Sequence, residues 1–183
     1  MKLSIHIFIS HTFTTSSCGK PDNKFIVTFK ITNPCNHSAP TIQVQASQKP
    51  IADFNQSSGL CLNNKITFTN KSEGNYFVGS SCNSTFNKIW SITPNTGWTG
   101  NLSNNNSIDI TFNTPGKYSV QLKIKKPNSS DSRCTSDSIT KIITINPLPT
   151  GNLTGGATVC QNSAKPEITF TGADGTSPFT FTY

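Results

Sequence analysis

A domain-sized internal repeat limits what this chain of 183 residues can fold into. Four residue pairs recur at a spacing of 99 positions: Phe13 and Phe112, Cys35 and Cys134, Pro50 and Pro149, and Cys61 and Cys160. The tetrapeptide Ile-Thr-Phe-Thr at 66–69 also recurs, at 168–171. Solenoid repeats are shorter, at roughly 20–50 residues, so the spacing predicts one separate domain per period.

The phase of the repeat predicts three segments. Residues 1–48 match the second half of a unit, residues 49–148 form a complete unit, and residues 149–183 match the first third of another. Proline stiffens the junctions at Lys49-Pro50 and at 147–149. We therefore expect the chain to begin and end within a domain, and its nearest partners to be neighbouring domains of the same polypeptide.

Short alternating runs of apolar residues predict an all-β fold. Good helix formers are scarce, whereas Thr, Ile, Val and Phe dominate the ordered-looking stretches. Turn signals divide the complete unit into seven strands, which favours tandem immunoglobulin-like sandwiches of two antiparallel sheets. The predicted strands are 51–55, 64–70, 87–93, 99–103, 107–113, 117–125 and 138–146. The predicted structural core includes Phe68, Trp90, Phe112 and Tyr118.

Several segments resemble one known family of extracellular modules. They are Ala52-Asp53-Phe54, the run 66–72, Trp90, the run 115–122 and His11-Thr12-Phe13. Together they resemble the PKD (polycystic kidney disease) domain family, and more closely the PKD-like modules strung along large surface proteins of Bacteroidota, of the gliding-motility and adhesin type. The resemblance implies a spacer, an adhesin stalk, or an accessory module of a secreted protease or polysaccharide-degrading enzyme.

One departure from the family pattern concerns the turn after the tryptophan. PKD domains usually have Phe-Gly-Asp-Gly there, whereas Trp90 is followed by Ser-Ile-Thr-Pro at 91–94. The acidic turn is gone, so the resemblance brings no cation site with it.

Composition and motifs give no sign of catalysis. All three histidines, His6, His11 and His37, precede the complete unit, and no nucleophile–base or metal-ligand spacing is present. We therefore expect no catalytic residues, cofactor or metal. The net charge of +7 comes from scarce acids rather than from a basic stripe, which argues against nucleic acid. No apolar run approaches about 18 residues, so we expect no membrane insertion.

Six scattered cysteines without a C-x-x-C pair suggest an oxidising compartment, and hence a secreted or cell-surface protein. Cys82 and Cys134 fall in loops that share one end of such a sandwich, so we predict that they form a disulfide. The 99-residue recurrence of Cys61 and Cys134 favours pairing those two instead, and reduced, buried thiols are a third alternative. We expect the partners of Cys18, Cys35 and Cys160 to lie beyond the chain ends.

Trp98, in a polar loop, is the one residue predicted to contact a ligand, a sugar or a partner surface. The structural alternative is that its ring folds over the sheet edge. The sequence thus favours a non-catalytic structural or adhesive module that contacts surface proteins or extracellular polysaccharide. An accessory carbohydrate-binding module of a secreted hydrolase or protease is the alternative, and a degenerate gene fragment without activity is a third hypothesis.

Overall fold

The computed structural model describes residues 8–32, 37–127, 135–175 and 180, of which 31, 32, 37 and 38 are described by their backbone alone. Within these residues the secondary structure consists of strands and one short 3-10 turn, Pro21–Asn23. The predicted all-β fold is confirmed.

Fifteen strands follow one another along the described chain. They are β1 (Phe25–Thr28), β2 (Ile31–Thr32), β3 (His37–Ser38), β4 (Thr41–Val44), β5 (Phe54–Gln56), β6 (Lys65–Asn70), β7 (Tyr76–Val78), β8 (Ser81–Asn83), β9 (Asn87–Thr93), β10 (Trp98–Gly100), β11 (Ser107–Phe112), β12 (Gly116–Lys125), β13 (Ser136–Ile145), β14 (Thr150–Thr154) and β15 (Thr169–Ala173).

These strands form two larger sheets and four hairpins. One sheet has the order β10-β11-β6-β5 and the other the order β13-β12-β9. The hairpins pair β1 with β4, β2 with β3, β7 with β8 and β14 with β15. The pairs for which the register is defined are antiparallel.

The chain divides into two compact units, one formed by 1–53, 71–88 and 123–138 and the other by 54–70, 89–122 and 139–183. Strands β9, β12 and β13 therefore contribute residues to both units. The boundaries after residues 48 and 148 that the repeat predicts stay predictions.

The core of the second unit is built by the alternation of buried and exposed side chains along each strand. In β6 and β11, Phe68 lies opposite Ile108 and both are buried. The ring of Trp90 on β9 lies 5.3 Å from that of Phe54 and 6.4 Å from that of Phe68. Aromatic contacts thus join the two larger sheets within this unit, where burial of such rings supplies most of the stabilisation.

In the first of the two compact units, the N-terminal segment lies against the β7–β8 hairpin. Asn23 Nδ2 donates to the Ser80 carbonyl at 3.2 Å, and Gln45 Nε2 donates to the Gly79 carbonyl at 3.1 Å. Ser17 is fully buried, and its hydroxyl donates to the Asn23 carbonyl at 2.8 Å while it accepts the Ala46 N–H at 3.0 Å. Polar contacts rather than a large apolar core therefore position this segment.

Strand β13 lies at the edge of its sheet and carries a lysine among its inward-facing residues. The Lys141 ammonium donates to the Phe54 carbonyl and lies 4.8 Å over the Phe54 ring. An inward-pointing charge on an edge strand disfavours pairing with a strand of another molecule. Lys141 therefore disfavours pairing of this ten-residue edge strand with an edge strand of another molecule.

Among the described residues of the complete unit, the β7–β8 hairpin is the element that alternation did not predict. Its strands have three residues each and are joined through Gly79 and Ser80, with Gly79 at φ +61°. Alternation over three residues is not by itself a strand signal, and the equally short β5 and β10 were predicted only within the longer runs 51–55 and 99–103. The strand at 87–93 has the predicted bounds, and the other strands differ from prediction by one to three residues at their ends.

Candidate functional site

Trp98 begins β10, where it lies opposite Phe112 of β11. Its side chain is half-buried, and the indole N–H donates to the Pro94 carbonyl at 3.0 Å. Because the one polar group of the ring is already hydrogen-bonded within the loop, a ligand at Trp98 would meet only the apolar ring surface.

The Gly97 carbonyl holds the loop before Trp98 in place. It accepts the backbone N–H groups of Asn113 at 2.8 Å and Thr114 at 3.2 Å, and the Tyr118 hydroxyl lies 3.1 Å away. Gly97 itself has φ +79°, a conformation that residues with a Cβ rarely adopt. A cleft of about 320 Å³ opens beside this loop, and Lys117 is the charged side chain along its wall.

We predict that Gly97→Ala lowers the free energy of unfolding by about 2–3 kcal/mol. Alanine disfavours the left-handed backbone conformation at this position, and its Cβ would disturb the contact between the Tyr118 hydroxyl and the loop. A Cβ at Gly97 would lie 2.5 Å from the Tyr118 oxygen. Gly79→Ala is the matched control, since it also has positive φ (+61°) but no atom within 4 Å of its Cβ position. Urea unfolding should show the larger loss for Gly97→Ala, and equal losses would contradict the clash.

The four residues predicted as structural core are all buried: Phe68, Trp90, Phe112 and Tyr118. The Trp90 indole N–H donates to the Asn105 carbonyl at 3.3 Å. The single hydrogen-bond donor of this buried ring is therefore paired. The rings of Phe112 and Tyr118 lie 4.5 Å apart. These four side chains serve packing.

The cysteine pairing predicted from the loops is wrong. Cys82 is bonded to Cys18, with a Cα–Cα distance of 5.7 Å, so it is not available to Cys134, which lies outside the described residues. The expectation that Cys18 pairs beyond the chain ends is wrong for the same reason. The loop argument compared cysteines within one unit only, whereas the contacts of Asn23 and Gln45 bring the N-terminal segment to the hairpin that carries Cys82.

Two other described cysteines are free thiols. Cys61 is half-buried and Cys160 is exposed. Their equivalence in the repeat therefore does not extend to a disulfide with each other or with another described cysteine.

An aromatic cluster near the N-terminus was not predicted as a site. The rings of Phe13 and Phe25 stack at 4.9 Å, and the His11 ring meets Phe13 edge-on at 4.8 Å. They line a cleft of about 460 Å³ together with residues 14–15 and 26–28. The only sequence signal was the His11-Thr12-Phe13 match to the resembled family, which says nothing about a cleft.

One exposed ionic cluster joins β6 and β11 on the face opposite the buried core. Asp109 accepts the Thr67 hydroxyl at 2.6 Å and lies 3.0 Å from the Lys65 ammonium. The hydrogen bond from Thr67, and then that from Lys65, lower the pKa of Asp109 below its usual 3.8. Among the described residues, no group of three His, Cys, Asp or Glu side chains is placed to hold a metal ion.

The pKa of Asp109 gives a direct test of this cluster. We expect carboxyl NMR titration to place it below 3.8 in the native chain, and Thr67→Val to raise it, because the largest stabilising hydrogen bond is lost. A lowered folded pKa means that the Asp109 contribution to stability is present above the unfolded pKa and is lost as the pH falls through the folded one. An unchanged pKa in Thr67→Val would contradict this cause.

Along the part of the chain that the structure describes, no helix is long and apolar enough to span a membrane. The chain matches no protein-family model, and neither the curated proteins nor the solved structures contain a significant match to it.

Proposed function

We propose that the chain is a non-catalytic structural and adhesive segment of a larger cell-surface protein, built from tandem immunoglobulin-like units. The strand order of the two larger sheets carries the proposal. Lettered in chain order from β5, with the β7–β8 hairpin left aside, the sheets read A-B-E-D and C-F-G. This is the order of the seven-stranded immunoglobulin sandwich, whose units commonly serve as spacers and contact modules in extracellular proteins.

A tyrosine near the start of the sixth of these strands supports the same fold. The Tyr118 hydroxyl lies 2.9 Å from the Thr114 carbonyl, four residues upstream. Immunoglobulin-like sandwiches often hold this corner with a tyrosine bonded to backbone a few residues earlier.

A repeated aromatic contact supports the tandem arrangement. The rings of Phe13 and Phe25 lie 4.9 Å apart, and those of Phe112 and Tyr118 lie 4.5 Å apart. Phe13 matches Phe112 in the repeat, and Phe25 matches Tyr118 when 24–31 is aligned with 117–124. The N-terminal segment therefore reproduces a core contact of the complete unit.

The Cys18–Cys82 disulfide supports both the location and the mechanical function. It links a residue before the Lys49-Pro50 junction to one after it, across a sequence separation of 64. Disulfides persist in oxidising compartments, as outside the cell. A covalent link across a junction would keep neighbouring repeat units of a stalk connected when the stalk is under tension.

The carbohydrate-binding alternative calls for a flat row of exposed aromatic rings. The face of β6 and β11 opposite the core instead carries Lys65, Thr67, Thr69, Ser107 and Asp109. These polar side chains hydrogen-bond with one another, so this face offers no stacking platform, which favours the structural function.

Antibodies raised against the purified chain test the proposed location. We expect them to label intact, unpermeabilised cells of the source organism, and brief external proteolysis to remove the label. An antibody to a cytoplasmic protein, which should label only permeabilised cells, is the control. Labelling that requires permeabilisation would contradict the proposal.

A further inference from the structure

Strand β12 carries exposed lysines along one of its two sides. It is an uninterrupted strand in which every second residue from 118 to 124 is buried. Successive side chains of a strand point to opposite sides, so the residues between the buried ones face away from the core. Among them Lys117, Lys123 and Lys125 are exposed, and we name these three residues the lysine row. From its first lysine to its last, the row extends roughly 27 Å along the strand.

Neighbouring side chains do not neutralise the charge of the lysine row. None of its members forms an ion pair with a described residue, whereas Lys65 on the other large sheet is paired with Asp109 at 3.0 Å. Strands β9 and β13 flank β12, and their outward positions include neither Asp nor Glu. Those positions are Asn87, Ile89, Ser91 and Thr93 on β9, and Ser136, Ser138, Thr140, Ile142 and Thr144 on β13. The outer side of this sheet is therefore cationic, and an anionic partner complements it.

The residues around the lysine row favour a polysaccharide as that anionic partner. Most of the flanking outward positions carry hydroxyl or amide groups, which both donate and accept hydrogen bonds as sugar hydroxyls do. The amide of Gln121, within the row, already donates to the Thr140 hydroxyl at 3.2 Å, so such groups lie within reach of one another. An open row along a strand also fits a linear polymer better than a small enclosed ligand.

Nucleic acid fits this surface less well. Proteins that bind single strands place aromatic rings where the bases stack, and arginine is the side chain that most often reads a duplex. The outward positions of β9, β12 and β13 carry neither an aromatic ring nor an arginine.

We propose that the lysine row binds the carboxylate groups of an anionic, uronate-containing polysaccharide. Each ammonium is a point charge with three donors and needs no fixed orientation toward a carboxylate. The row therefore follows a polymer along β12 without selecting one exact spacing of its charges. This inference rests on the proposed function, because it names the partner that the adhesive segment contacts.

Binding of the full chain to immobilised polygalacturonate, measured by biolayer interferometry, tests the proposal. We expect binding at low ionic strength that is lost near 1 M salt, where charges are screened beyond about 3 Å. The triple variant Lys117→Gln/Lys123→Gln/Lys125→Gln should bind at least about tenfold more weakly, because three exposed charge contacts are lost. The corresponding triple arginine variant keeps the charges and should bind like the unsubstituted chain.

Lys20→Gln/Lys71→Gln/Lys165→Gln is the matched control. It removes the same net charge from exposed lysines outside the row, so it should bind like the unsubstituted chain. All substituted positions are exposed, so urea unfolding of each variant should match that of the unsubstituted chain. Fully methyl-esterified polygalacturonate, which lacks the carboxylate charge, should not bind.

Equal weakening by the two glutamine variants would overturn the proposal, because net charge alone would then explain the binding. No binding at low ionic strength would overturn it too, as would tighter binding of single-stranded DNA than of polygalacturonate. These results leave the antibody labelling of intact cells unchanged, so failure of this inference and failure of the proposed function can be told apart.

Discussion

Phe68→Ala is expected to lower the free energy of unfolding by about 3–5 kcal/mol. Phe68 is 0% exposed, lies opposite Ile108 and contacts the rings of Phe54 and Trp90. Removing its ring leaves a cavity between rigid strands that cannot close around it. Urea unfolding followed by tryptophan fluorescence measures the loss.

Phe170→Ala provides the matched control within the same molecule. Phe170 occupies the equivalent place in an identical Ile-Thr-Phe-Thr sequence, but it is 43% exposed. At low protein concentration its replacement should cost about 1 kcal/mol or less, as for other surface positions. Equal losses for the two variants would show that Phe68 does not lie in a closed core.

Removal of the Cys18–Cys82 disulfide should have a comparable effect. The double variant Cys18→Ser/Cys82→Ser is expected to lose about 4 kcal/mol, because the bond closes a loop of 64 residues in the unfolded chain. Reducing agent should destabilise the unsubstituted chain similarly and leave the double variant unchanged.

Cys160→Ser is the control for this experiment, since Cys160 is an exposed free thiol. Its stability should equal that of the unsubstituted chain under oxidising conditions. Non-reducing peptide mapping should recover a linked peptide containing Cys18 and Cys82. A peptide that links Cys82 to Cys134, or a double variant of unchanged stability, would overturn the assignment.

Sequence alternation predicted the strands that are half-buried and long. In β9, Trp90 and Ile92 alternate with exposed Ile89 and Ser91, and the predicted bounds match the observed ones. Period two is visible there because one face is buried along seven residues. The three-residue strands β7 and β8 carry little of that pattern, and the equally short β5 and β10 were predicted only as parts of longer runs.

Contacts between distant segments could not be read from the pattern. The Cys18–Cys82 disulfide lies in a region where the side-chain amides of Asn23 and Gln45 donate to backbone carbonyls of the turn between β7 and β8. The identities of Asn23 and Gln45 do not by themselves indicate these hydrogen bonds. The repeat also does not predict burial, since Phe68 and Phe170 share a sequence but differ in exposure: Phe68 lies in the four-stranded sheet and Phe170 in the two-stranded β14–β15 pair.

The Trp98 loop was predicted from the sequence in part. Its glycine and proline predict a turn, which the structure contains. The structure places it half-buried with its N–H bonded to Pro94, while its contact with any ligand stays a prediction.

The central claim is that two sheets of immunoglobulin strand order enclose one core, and nuclear Overhauser contacts in the labelled full chain test it most directly. We expect contacts from the Trp90 ring to the rings of both Phe54 and Phe68, together with cross-strand contacts that place Phe68 opposite Ile108. A Trp90 ring that contacts neither phenylalanine, or a β6 strand that pairs with a partner other than β5 and β11, would contradict the account.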